Sequence, residues 1–136
     1  MNQQQAIRIS FLLLRVVAGF LFFQAGAMKI FGWFVPMPGG LPPAFSQIWI
    51  GGILEVVGGL CIVVGLFVRP VAFVLSGEMA VAYWQFHAPK GAWPIQNQGQ
   101  AAVLFCFLFL FLAAFGAGED SLDALIAKKR SLKETA

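Results

Sequence analysis

Apolar residues run along this chain in four long blocks, and the polar positions inside each block are few enough to name. Residues 11–31 are apolar except for Arg15, Gln24 and Lys29; the stretch IGGILEVVGGLCIVVGLFV holds one carboxylate, Glu55; VAFVLSGEMAVA holds Glu78; and from Gly99 to Gly116 only Cys106 is ionisable. Blocks of this length predict helices, since strands need only half as many residues to cross the same apolar layer. Breakers separate them. GWFVPMPGGLPPA ends the first helix, Gly65 with Arg69-Pro70 marks a tight turn between the second and third, and HAPKGAWP makes a second loop before Asn97, Gln98 and Gln100 open the fourth. The expected helices run over about 7–31, 45–66, 70–88 and 99–117, with a tail over 119–136. Ala25-Gly26-Ala27 resembles a signal-peptidase site, but Arg15 interrupts the would-be hydrophobic region, so the first block reads as a retained helix.

Helical spacing then sorts residues by face. Gly51, Gly52, Gly58, Gly59 and Gly65 all fall within roughly 80° of Glu55, so a close-packing face carries a carboxylate. On the first helix Arg8, Arg15, Gly19, Phe22, Gly26 and Lys29 share a line within roughly 40°. These complementary glycines predict that helix one seats against helix two. Counting rise from Arg8 and Arg69 as a common interface puts Arg15 within roughly 3 Å of the level of Glu78 and predicts that pair. Glu55 is left without a level basic partner. The fourth helix, crowded with phenylalanine, is expected to face lipid or a neighbouring subunit.

Composition strengthens the membrane reading. Of 136 residues, 60% are hydrophobic and 11% charged, a balance that a soluble domain of this size does not carry. The expected fold is all-α: an integral membrane four-helix bundle with short loops and an amphipathic C-terminal tail, forming one domain over 1–136. The net charge of +3 does not indicate nucleic acid, because Lys128, Lys129, Arg130 and Lys133 cluster beside the last span. With Arg8 and Arg69 they place both termini in the cytoplasm of a multi-pass, bacterial-type inner membrane protein, with lipid as its first partner. Cys61 and Cys106 lie in separate blocks with no CxxC pairing, and no disulfide is expected. His87 has no second histidine or cysteine near it, so no metal site is expected, and no flavin, nicotinamide or P-loop motif is present.

Several stretches resemble the DoxX family of small four-helix membrane proteins: LLLRVVAGFLFFQAGAMKIFGW, GGILEVVGGLCIVVGLFVRPVA, HAPKGAWPIQNQGQAA and GAGEDSLDA. Gln100 departs from the pattern, standing where many relatives carry an acidic residue. The family is related to the DoxD-type subunit of thiosulfate:quinone oxidoreductase. What the resemblance implies is a membrane subunit of a quinone-linked redox system, at most a subunit of an oxidoreductase, with a bound quinone as its only cofactor and an oxidoreductase, soluble or in the membrane, as partner. Arg15, Lys29, Glu55 and Glu78 are the candidate ligand-binding residues, since ionisable groups inside a membrane mark ligand or proton paths. The competing reading is two compensated ion pairs that fix helix register. His87, Lys90, Trp93, Asn97 and Gln100 form a candidate polar cluster at the outer mouth, against a reading as interfacial anchors. A proton-coupled permease or lipid-binding protein and a non-catalytic membrane scaffold are the alternative functions, and a homo-oligomer stays open.

Overall fold

A computed structural model describes residues 1–134 as five α-helices, with no strand among the described residues. They are α1 (Gln3–Phe31), α2 (Gln47–Val64), α3 (Val68–Ala82), α4 (Gln100–Phe115) and α5 (Leu122–Glu134). The first helix starts earlier than its apolar block because Asn2 and Gln5 cap each other. Asn2 Oδ1 accepts from the Gln5 amide at 2.8 Å while Gln5 Oε1 accepts from the Asn2 amide at 3.0 Å, which satisfies two orphan donors. At its other end Gly32 takes a left-handed φ of 67° that closes the helix. The third helix stops short of its expected end. After Ala82 the chain widens into a π-helical turn, Tyr83–His87, and a 3₁₀ turn, Ala88–Lys90, because Pro89 offers no amide to continue α-type bonding.

The paired glycines of α2 serve two different neighbours. Gly52 and Gly59 face α1: a Cβ at Gly59 would lie 2.6 Å from Phe23 N, and one at Gly26 would lie 2.6 Å from Gly52 O. Gly19 opposes Gly59 in the same way, seven residues along, so α1 and α2 run antiparallel with backbones in contact. Gly58 faces α3, where a Cβ would meet Leu75 at 2.7 Å. The single glycine face expected from spacing is therefore two adjacent seams.

Contrary to expectation, α4 does not turn wholly away from the other helices. Ala102, Phe109 and Leu112 are buried, and Phe22 of α1 packs its ring against Phe109 and Phe105 at centroid distances of 4.7 and 5.5 Å. The reason is spacing: 102, 105, 109 and 112 fall on one side of a helix, with no polar group to announce it. Leu104, Phe107, Leu110 and Phe111 on the other side stay exposed. Between α3 and α4, Ser76 Oγ donates to Cys106 O at 2.8 Å. Phe22, Ile62, Val68, Ala72, Leu75, Phe109 and Leu112 form the core where these helices meet. Among the described residues two helices, α1 and α2, are long and apolar enough to cross a membrane, and α4 is apolar but shorter, at 16 residues. Cys61 and Cys106 are free thiols.

At the Gly65 end the chain after α4 folds back onto the α2–α3 turn. Phe67 has a left-handed φ of 49° and no side-chain cap of its own. Asp123 supplies one, accepting from the Phe67 and Val68 amides at 2.8 and 3.0 Å, while its own amide donates to Gly65 O at 2.9 Å. A carboxylate at the N-terminus of α3 also meets the positive end of the helix dipole.

Candidate functional site

A cavity of about 420 Å³ opens between α1, α2, α3, the π turn and the start of α4. Lys29, Gln47, Glu55, Glu78 and His87 line its polar part, and Phe22, Phe86, Phe105 and Met79 supply much of the apolar wall. Two glycines build the polar part. Gly26 allows the Glu55 stem to lie against α1, since a Cβ there would come within 2.8 Å of Glu55 Cβ; Gly52 likewise leaves room for Lys29, whose Cβ stands 3.1 Å from the site of a side chain. With both stems at the seam, Lys29 Nζ donates to Glu55 Oε1 at 2.5 Å. Glu55 thus has the basic partner that level counting denied it. Lysine stems on a helix lean toward the helix N-terminus, which brings the ammonium back by more than the backbone level suggests.

Pairing leaves oxygens over. Glu55 is 2% exposed, and its Oε2 has no hydrogen-bond partner; Glu78 Oε2 is buried and unpartnered too. The Glu78 carboxylate sits over the bare Cα of Gly51, where a Cβ would stand 3.0 Å from Oε1. Unpartnered carboxylate oxygens in an apolar setting are costly and rare, which sets this cavity apart from ordinary packing defects.

Arg15 is not part of this cavity. Its Nη1 donates to Ile62 O and Val63 O at 2.6 and 2.9 Å, and Nη2 donates to Asp120 O at 2.6 Å. The Ile62 and Val63 carbonyls end α2, so a cation there meets the negative end of that helix. The expected Arg15–Glu78 pair does not form. The chain reverses at Gly65–Phe67, which folds Arg69 back beside the end of α2, so Arg8 and Arg69 are not level. Arg15 lies beside Gly65, and Glu78 is roughly 15 Å further along α3. Arg8 instead pairs with Asp120 and Glu119, and its guanidinium, bonded to Asp120, holds that carboxyl below the usual range.

The outer-mouth residues divide as well. His87 Nδ1 lies 3.0 Å from Asn97 O, and His87 lines the cavity. Asn97, 2% exposed, is spent on its own loop: Nδ2 donates to Gly91 O at 2.9 Å and Oδ1 accepts from Gly99 N at 2.8 Å. Lys90, Trp93 and Gln100 are exposed and do not line the cavity, so they do not converge with His87. Among the described residues no group of three or more His, Cys, Asp or Glu side chains is placed to hold a metal. Asp120 and Asp123, which lock the Gly65 end, escaped the face analysis because they lie beyond the last span. Their signal was the short acidic stretch GAGEDSLDA.

The DoxX family model matches residues 10–88, which take in most of α1 and all of α2, α3 and the π turn and hold all four charged candidates. This chain belongs to the DoxX family. An uncharacterized protein of Haemophilus influenzae is 38% identical over 134 residues, covering 95% of this chain and 100% of that relative. A second uncharacterized protein of the same organism is 30% identical over 128 residues, with 88% of this chain and 85% of the relative covered. No solved structure matches. DoxX membership, together with the apolar α1 and α2, makes this a membrane protein.

Proposed function

We propose that this DoxX protein is the membrane subunit of a quinone-linked redox system, holding a quinone head group in the Lys29–Glu55–Glu78 cavity while a partner oxidoreductase supplies electrons. In this reading α1 to α4 are four spans of an inner-membrane bundle, α3 being completed by its π turn, and both termini are cytoplasmic. The basic residues Arg8, Arg69 and the Lys128–Arg130 run support that orientation. Arg15 serves the fold here, as the clamp on the end of α2.

The observation that carries the proposal is the division of the cavity wall. Aromatic and aliphatic side chains suit a flat apolar ring and its tail, and one ammonium with two carboxyl groups, buried Glu55 and half-buried Glu78, faces them. Lys29 Nζ keeps donors beyond the one given to Glu55 and can hold a ring oxygen. Few polar groups set in an apolar pocket are the usual make-up of a small-molecule site.

The test is mass spectrometry of small molecules retained by the gently purified wild type, beside Gly51→Leu, which fills the cavity, and Glu78→Gln. A stoichiometric quinone in the wild type, lost in Gly51→Leu, is the expected result. An empty wild type that drives proton-coupled uptake in vesicles would replace this reading with a permease. An empty wild type with neither property would leave the buried charges as structural.

A further inference from the structure

Each helix that lines the cavity turns the same end of the bundle toward it. Lys29 stands two residues before Phe31, the last of α1; Gln47 opens α2 and Gly51 follows one turn on; Ala82 closes α3; and Ala101 lies in the first turn of α4. Met37 joins them from the loop between α1 and α2. Gly51 is thus roughly 6 Å of helix from the Gln47 end of α2 and roughly 20 Å from the Val64 end. The Val64 end is filled. Phe22, packed on Phe105 and Phe109, makes the floor of the cavity. Beyond it Ile62, Val68, Ala72, Leu75, Phe109 and Leu112 are each at most 1% exposed, and the Ser76 hydroxyl beside them is spent on Cys106 O. A close-packed apolar layer of this kind holds no chain of water. Past it, Arg15 and Asp123 tie down the turn between α2 and α3.

We infer that the cavity is a one-sided site, open to the extracytoplasmic face and sealed from the cytoplasm. This rests on the quinone-site reading and the orientation given above, and adds the side on which the bound head group makes its exchanges. Reduction of a quinone to its hydroquinone takes two electrons and two protons, the protons forming the two new O–H bonds. Those protons are drawn from water at the mouth, because the apolar core closes the other route. The electrons come from the same side, where the head group lies within about two turns of the helix ends instead of behind the packed core. The partner is therefore an extracytoplasmic redox protein, or a membrane protein with its redox group on that face, and not a soluble cytoplasmic enzyme held by α5.

Thiol labelling from each side of the membrane reads the mouth directly. Met37→Cys at the mouth, Ala82→Cys on the wall and Lys129→Cys on α5 are made singly in the full chain, with the wild type, which carries Cys61 and Cys106, as background. Each is treated with a membrane-impermeant maleimide in intact spheroplasts and in inverted membrane vesicles, with and without tetramethylbenzoquinone, whose fully substituted ring does not readily add thiols. Met37→Cys and Ala82→Cys are expected to label in spheroplasts and not in inverted vesicles, Lys129→Cys the reverse, and the quinone is expected to slow labelling in the cavity. Where Ala82→Cys fails to accumulate, Met37→Cys, which lies in a loop, gives the same reading. Labelling of either cavity variant in inverted vesicles, with protection by the quinone retained, overturns the inference and leaves the quinone site standing. The expected sides without any protection overturn the quinone site, and the inference falls with it.

Discussion

Replacing Gly26 with alanine adds one methyl group where α1 and α2 come closest. That methyl would lie 2.6 Å from both Gly52 O and Val56 N and 2.8 Å from Glu55 Cβ. Two of these three neighbours are backbone and cannot rotate away. Restoring ordinary contact requires the helices to part by roughly 0.8 Å, and overpacking of this kind costs ~1–3 kcal/mol. Alanine also brings a helix-propensity gain of about 1 kcal/mol over glycine, which would blur a comparison with wild type. Gly77 removes the ambiguity, since it lies in α3 with nothing within 4 Å of an added Cβ. Gly77→Ala gains the propensity without the clash, so the difference between the two variants isolates the seam. For a chain of 136 residues each kcal/mol moves the thermal midpoint by roughly 4 °C, so Gly26→Ala should melt ~4–12 °C below Gly77→Ala. Tryptophan fluorescence during heating in mild detergent reads the midpoint, and loss of the monodisperse peak in size-exclusion chromatography checks it. Equal midpoints, or a higher one for Gly26→Ala, would refute backbone contact at this seam.

Two further expectations concern the Gly65 end. Asp123→Ala removes the side-chain cap at the start of α3 and should cost about 1 kcal/mol, with the Phe67 and Val68 amides exchanging hydrogen faster; unchanged protection there would show that the cap is dispensable. For Asp120 the sign follows from its lowered carboxyl: the folded protein holds this proton less readily than the unfolded chain, so the Arg8 contact stabilises fully above about pH 4 and fades as pH falls through the lowered value. Asp120→Asn should therefore melt slightly below wild type at pH 7, and the gap should close in acid; the effect is small because Arg8 is half exposed. A gap that does not change with pH would assign the difference to something other than this ion pair.

Much of the architecture was legible in the sequence because apolar length and breakers are local properties. The α2 glycines and Gly19 and Gly26 announced the α1–α2 seam, since small residues at seven-residue steps have few other uses in such helices. The candidate site was only half legible. Lys29, Glu55 and Glu78 could be named as ionisable groups in apolar blocks, but their pairing depends on where the chain reverses and how far a lysine stem leans back. A turn displaced by a few residues moves a level by about 6 Å, more than the reach that separates a pair from a miss. Arg15 was misassigned for that reason. Its partners are backbone carbonyls, which every residue carries and no sequence pattern displays. The buried side of α4 was hidden differently, because phenylalanines on both faces erase the contrast on which amphipathic reading depends.

The cap that Asp123 places on α3 also bears on the order in which the molecule is assembled. A chain is made and inserted from its N-terminus, so α1 to α4 emerge before the residue that closes the α2–α3 turn. Until then the Phe67 and Val68 amides and the Gly65 carbonyl lack their partners on Asp123, and Arg15 lacks its bond to the Asp120 carbonyl. The hairpin of α2 and α3 is thus free to adjust during insertion and becomes latched only when residues 120–123 arrive. A chain cut just before Asp120 would keep every apolar helix and still lose its latch, whereas a fusion attached after α5 would leave it intact.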